Sequence, residues 1–162
     1  MSLEELLELN EAFDTHYSVV EKDVVPEFNT TRYYFYVDEN KYIKYRIFVE
    51  RSEDNKDIEV GFERLYGDNW IRFGETNDLS TKQVLGLFGT VAEILKKEKF
   101  ESLYISSNEA KKFKIYSKMI SRLVSSLNAN YYESGVYMVL TRKQSIKNLI
   151  FKPVFKYGKS VK

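Results

Sequence analysis

Few side chains in this sequence can do chemistry, and they are of few kinds. There is no Cys among the 162 residues, and His16 is the one His. Disulfides, thiolate zinc sites and thiolate nucleophiles are therefore excluded together, and no partner for a Ser-His-Asp triad is visible. Carboxylates and tyrosines remain. Glu63, on a strand, and Glu75, just after the next strand, could activate an amine as general bases. Carboxylates at strand ends are equally often plain solvated groups. Tyr116 lies in the apolar stripe of a helix, and a Tyr of pKa about 10 can serve as an acid at neutral pH. The same side chain could instead simply carry its hydroxyl to the sheet edge. Asp38/Glu39 and Glu53/Asp54/Asp57 lack the spacing of a calcium loop and read as solvated turns, so no metal site is expected.

The elements that would position these groups follow from periodicity and turn chemistry. Leu3, Leu6, Leu7 and Phe13 predict a helix over 3–14, opened by Ser2. Residues 15–29 fit no one pattern, although Pro26 holds Val25 extended. Four strands come next, at Thr31–Val37, Tyr42–Val49, Ile58–Leu65 and Trp70–Phe73, joined by the polar turns Asp38-Glu39-Asn40, Ser52–Lys56 and Gly67-Asp68-Asn69. Loops this short join antiparallel neighbours, so the first half reads as a meander. A helix then runs to Lys99, capped by Asp78 or Ser80, with Val84, Leu87, Phe88, Val91, Ile94 and Leu95 as its buried stripe. Gly86 and Gly89 fall inside that helix, where small residues permit close packing. A strand at Phe100–Ser106 implies a parallel crossover. Asn108 caps a second helix whose apolar face includes Phe113, Tyr116, Met119, Ile120, Leu123 and Leu127. A hairpin across Gly135 pairs Tyr131-Tyr132 with Val136–Leu140.

The order helix, strand, helix, strand, strand over Leu79–Lys143 resembles the second half of the GNAT acyltransferase fold. The resemblance implies an α/β, GNAT-like domain over residues 1–143, an antiparallel β-meander followed by a helix-strand-helix-hairpin unit. In that family a loop of the form Gln/Arg-x-x-Gly-x-Gly/Ala cradles the pyrophosphate of acetyl-CoA on successive backbone N–H groups. Gln83-x-x-Gly86 matches its first half, but Phe88 stands where the next small residue belongs. If CoA binds, Thr81, Lys82, Gln83, Val84, Leu85, Gly86 and Asn108 would hold it. Tyr116, at the family's spacing from Asn108, would be the acid and Glu63 the base of an N-acetyltransferase. The Gly-Phe usual after the second helix is replaced by Asn128-Ala129-Asn130-Tyr131-Tyr132. The block Leu85–Arg122 is also similar to small phage-encoded GNAT-like proteins that often lack the cofactor loop, through Phe88/Val91, Ile105-Ser106 and Glu109/Lys112/Tyr116.

Charge and composition bound the partners. Hydrophobic residues make up 43% and charged residues 30%, and net charge is +1. No apolar run approaches the roughly 20 residues of a membrane helix, and the acidic N-terminus is unlike a signal peptide. A cytoplasmic or phage-virion protein is expected. Residues 1–63 hold 16 acidic and 7 basic side chains, whereas residues 141–162 hold 7 basic and no acidic ones. The segment 144–162 reads as a basic, apolar tail docking on its own domain or on a partner, with Phe151, Phe155 and Tyr157 as anchors and Lys152 and Lys156 as rim charge. The leading expectation is a non-catalytic GNAT-like protein acting through contacts with other protein chains, of the kind that serves as a phage virion or assembly component, with no cofactor. The alternatives are an acetyl-CoA-dependent N-acetyltransferase and a nucleic-acid-binding protein using Lys111, Lys112, Lys114, Lys118 and the tail.

Overall fold

Residues 30–72 are rich in aromatic and β-branched side chains that alternate with charged ones, a pattern that suits strands with two different faces. A computed structural model describes residues 16–72, 77–106, 121, 124–125, 128–134 and 137–142. It shows a mixed α/β chain. Strands β1 (Glu21–Val25), β2 (Thr30–Tyr36), β3 (Lys44–Arg51), β4 (Asp57–Tyr66) and β5 (Asn69–Arg72) form an antiparallel run. Helix α1 (Thr81–Lys97) leads to β6 (Ser102–Ser106), and β7 (Ala129–Ser134) and β8 (Tyr137–Arg142) close the chain of elements. The sheet order is β1-β2-β3-β4-β6-β8-β7, with β5 paired to β4 beside this path. Only β4 and β6 pair in parallel among the described residues. The expected helix over 3–14, most of the second helix and the tail lie outside the described residues, although Ser121, Val124 and Ser125 are helical.

One expectation needs correction, and two readings left open are settled. Glu21–Val25 is a strand. It shows little alternation of its own and owes its form to the ladder with β2 and to Asp23, which accepts two bonds from Arg32 at 3.0 and 2.6 Å. The parallel partner of β6 is β4 and not the strand just before the helix, because β5 turns back on β4 at Gly67, whose φ of +60° suits glycine. The helix cap is Ser80 alone. Its Oγ accepts from the Gln83 amide at 3.1 Å while Gln83 Oε1 accepts from the Ser80 amide at 2.9 Å, a reciprocal capping box. Asp78 is instead held by Arg64 through two bonds of 2.6 Å.

The alternating pattern sorts the sheet into two faces. Phe35, Tyr45, Ile47, Val49, Ile58, Val60, Phe62, Leu103, Ile105 and Leu140 turn to one side and pack with Leu87, Phe88, Val91 and Leu95 of α1. A file of rings crosses this layer, from Tyr17 to Phe35 (5.8 Å), Tyr45 (6.3 Å), Phe62 (5.9 Å) and Phe88 (5.6 Å). The C-terminal end of α1 is tied to the sheet by Glu98, which accepts from Tyr33 and Arg51.

Candidate functional site

The residues one step out of phase with the core face the other side of the sheet, and here the charges gather. Register sets Tyr34 opposite Arg46, Arg32 opposite Phe48, Glu50 opposite Glu59 and Glu63 opposite Arg72. Gly61 lies opposite Phe48. A pocket of about 120 Å³ opens on this face, lined by Val25, Phe28, Thr30, Arg32, Arg46, Phe48, Glu50, Glu63 and Arg72.

Each guanidinium in the pocket has a carboxylate behind it. Asp23 grips Arg32, Glu63 accepts from Arg46 Nε at 2.8 Å, and Glu59 accepts from Arg72 Nη2 at 2.8 Å. Aromatic faces complete the fixation. Arg46 stacks 4.3 Å from the Trp70 ring centre, and Arg72 lies 4.7 Å from that of Phe48. Arg46 Nη1 also reaches the Tyr34 hydroxyl at 3.4 Å. Hydrogen bonding and the charge of Arg32 hold the Asp23 carboxyl below the usual range.

The face continues past the pocket as a buried polar layer. Glu50 and Glu59 are 2% and 1% exposed. Burial raises the carboxyl of Glu59, against the pull of Arg72 and of a hydrogen bond from Tyr137. The phenols of Tyr104 and Tyr137, packed edge to face at 5.6 Å, are pushed well above their ordinary value, chiefly by burial. Asp57 sits opposite Ser102, and Ser102 opposite Thr141, whose hydroxyls lie 3.3 Å apart. The Asp57 carboxyl is pushed up to about 6 by burial and by Asp54, against a hydrogen bond from Ser102. One of its oxygens, Oδ1, is buried with no hydrogen-bond partner.

The residues expected from the sequence are not brought together here. Glu63 lines the pocket, but Arg46 occupies it. Glu75, Asn108 and Tyr116, and the tail residues Phe151, Lys152, Phe155, Lys156 and Tyr157, lie outside the described residues. His16 is exposed. Thr81–Gly86 form the opening of α1 within a regular helix. The Gln83 amide bonds Ser80 Oγ, the Val84 amide bonds Ser80 O at 3.0 Å, and the Gln83 side chain also donates to Val37 O at 3.1 Å. Leu85 and Gly86 are buried. A Cβ on Gly86 would lie 2.9 Å from Tyr17 Cε2, so this glycine accommodates a ring. Thr81 and Lys82, both exposed, keep amides outside these bonds.

Sequence reasoning missed Arg32, Arg46 and Arg72. The signal was present. On β2, β3 and β4 the positions between core residues carry arginines and carboxylates of opposite sign, more than a purely solvated face needs. Among the described residues no group of three or more His, Asp or Glu could hold a metal ion, and no helix is long and apolar enough to cross a membrane. Compared with known proteins, the chain matches no family model, no curated protein and no solved structure.

Proposed function

We propose that this protein is a non-catalytic, GNAT-like scaffold that works by holding other protein chains, as an assembly component of the phage-virion kind would. The parallel pair β4/β6 across α1 and the β7–β8 hairpin beside β6 support the GNAT-like part of the reading. The contact part rests on β1, which ends the sheet order. Edge strands are usually protected by outward charges. Here each of the three charges of β1 has a contact on its own sheet, although Glu21 and Lys22 remain exposed. Glu21 pairs with Lys44 at 3.8 Å, Lys22 lies 5.3 Å over Tyr33, and Asp23 holds Arg32. Beside them two large apolar side chains are also exposed, Val20 just before β1 at 58% and Val24 within it at 61%. An extended segment of another chain, adding a strand to this edge, is the partner such a surface fits.

The helix opening supports the non-catalytic part. A pyrophosphate cradle needs several free amides and a glycine open to the ligand. Here the cap takes two of the amides and Tyr17 covers Gly86. Two experiments test the reading. A photo-crosslinker at Val24, in cells that make the protein, should yield one dominant protein adduct that a Val20→Lys change abolishes without altering the Tm. The absence of any adduct would overturn the contact. Acetyl-CoA titrated calorimetrically into the full chain should give no saturable heat up to millimolar ligand. Micromolar binding would instead favour the acetyltransferase and direct attention to Tyr116.

A further inference from the structure

Three arginines and two glutamates line one small pocket, with Asp23 and Glu59 behind Arg32 and Arg72, so its wall offers both donors and acceptors. Two of the guanidiniums are positioned with donors to spare. Arg32 gives Nε and Nη2 to Asp23, which leaves Nη1. Arg46 gives Nε to Glu63 and Nη1 to Tyr34, which leaves Nη2. A guanidinium already fixed by its partners, as Arg32 is by Asp23 and Arg46 by Glu63 and the Trp70 ring, loses little entropy when it takes an anion, and the Nη left on each can reach one oxygen of a shared carboxylate. Glu50 forms part of the same wall at 2% exposure. A carboxylate has about four lone-pair sites, so it can accept from an ammonium in addition to any bond it already makes. Val25, Phe28 and Phe48 supply the apolar part of the lining. The pocket volume of about 120 Å³ suits a small ligand.

We propose that this pocket binds a free α-amino acid with a small aliphatic side chain, its carboxylate on Arg32 and Arg46, its ammonium toward Glu50, and its side chain against Phe28 and Phe48. This goes beyond the scaffold role and does not depend on it, since β1 meets other chains with its outer edge and the pocket lies on the face of the sheet.

The test is calorimetric titration of the full chain with L-valine, L-valinamide, 3-methylbutanoate and inorganic phosphate, together with amide NMR spectra. L-Valine should saturate at millimolar concentration or below. Valinamide, which lacks the carboxylate, and 3-methylbutanoate, which lacks the amine, should each bind at least roughly tenfold more weakly, as expected for loss of one charge-assisted bond. The amides of Phe28–Arg32 and Arg46–Glu50 should shift on titration, a readout that needs no variant to fold. An Arg32→Gln variant should weaken valine at least as much. The proposal is overturned if no amino acid binds, if phosphate or 3-methylbutanoate binds as well as valine, or if the shifts fall elsewhere.

Discussion

Asp57 shows what this sheet asks of a single side chain. It is 7% exposed, at the start of the strand that carries Glu59 and Glu63, with Asp54 and Glu101 adding negative charge and Lys56 opposing them. Its carboxyl titrates at about 6 in the fold, against an ordinary 3.8. A raised acid binds its proton more tightly folded than unfolded. Its ionised form therefore costs stability above pH 6, and the cost is relieved as pH falls from about 6 toward 4. Two pKa units correspond to roughly 3 kcal/mol at most. Asp57→Asn keeps an acceptor for Ser102 without the charge, so it should stabilise the protein by about 1–2 kcal/mol at pH 7.5 and by little at pH 4.5. Urea unfolding at the two pH values measures this, and equal effects at both would remove the charge from the explanation. Asp23, Asp54 and Asp78, whose carboxyls are lowered by hydrogen-bonding partners, act in the opposite sense and lose their contribution as pH falls below about 4. Stability should therefore peak between the two windows.

At the scale of elements, the junction of the N-terminal segment with α1 carries a prediction of changing sign. Tyr17 lies across the helix. Its amide donates to Thr90 Oγ1 at 2.8 Å, its hydroxyl to Gln83 O at 3.3 Å, and its ring stacks on Phe35. Gly86 makes room for it at a cost in helix propensity of about 1 kcal/mol relative to Ala. Gly86→Ala should therefore destabilise the native chain, because the added methyl must displace a ring held at three points. In a Tyr17→Ala background the same change should stabilise by about 1 kcal/mol. Thermal unfolding of the four proteins closes the cycle, and the same sign in both backgrounds would disprove the contact. This junction also marks a limit of what the sequence made legible. The alternation of β2, β3 and β4 and the stripe of α1 were readable, because each buries a full face at its own period. Gly86 could be placed inside the helix by that stripe. That Tyr17 fills the space above it could not be read, because the two residues meet only through tertiary packing. β1 was hidden for a related reason. Its charges come first and its valines last, Glu21-Lys22-Asp23-Val24-Val25, so no alternation announces a strand.

Over the whole molecule, one sheet is held by two different kinds of chemistry on its two faces. Under α1 the contacts are apolar and non-directional. On the far side they are ion pairs and phenols, and these were partly legible as residue types but not as partners, since pairing requires the register of four strands. Such a layer stabilises only while it is complete, because a buried charge that loses its counterion costs more than the pair contributed. The Glu59–Arg72 pair is the most exacting test, with the glutamate side chain 1% exposed. Arg72→Met should cost about 3–5 kcal/mol at pH 8, where Glu59 would have to remain ionised in a buried site. Because burial already raises that carboxyl, the variant should take up a proton and recover part of the loss at pH 5. Adding Glu59→Gln should restore most of the stability at pH 8 and abolish its dependence on pH. Equal losses at pH 8 and pH 5 for the single variant would mean that Arg72 acts by packing against Phe48, 4.7 Å away, and not as a counterion. The outcome also bears on function. A Glu59 required as the counterion of Arg72 is held ionised and occupied by that arginine, a structural and not a proton-transfer role.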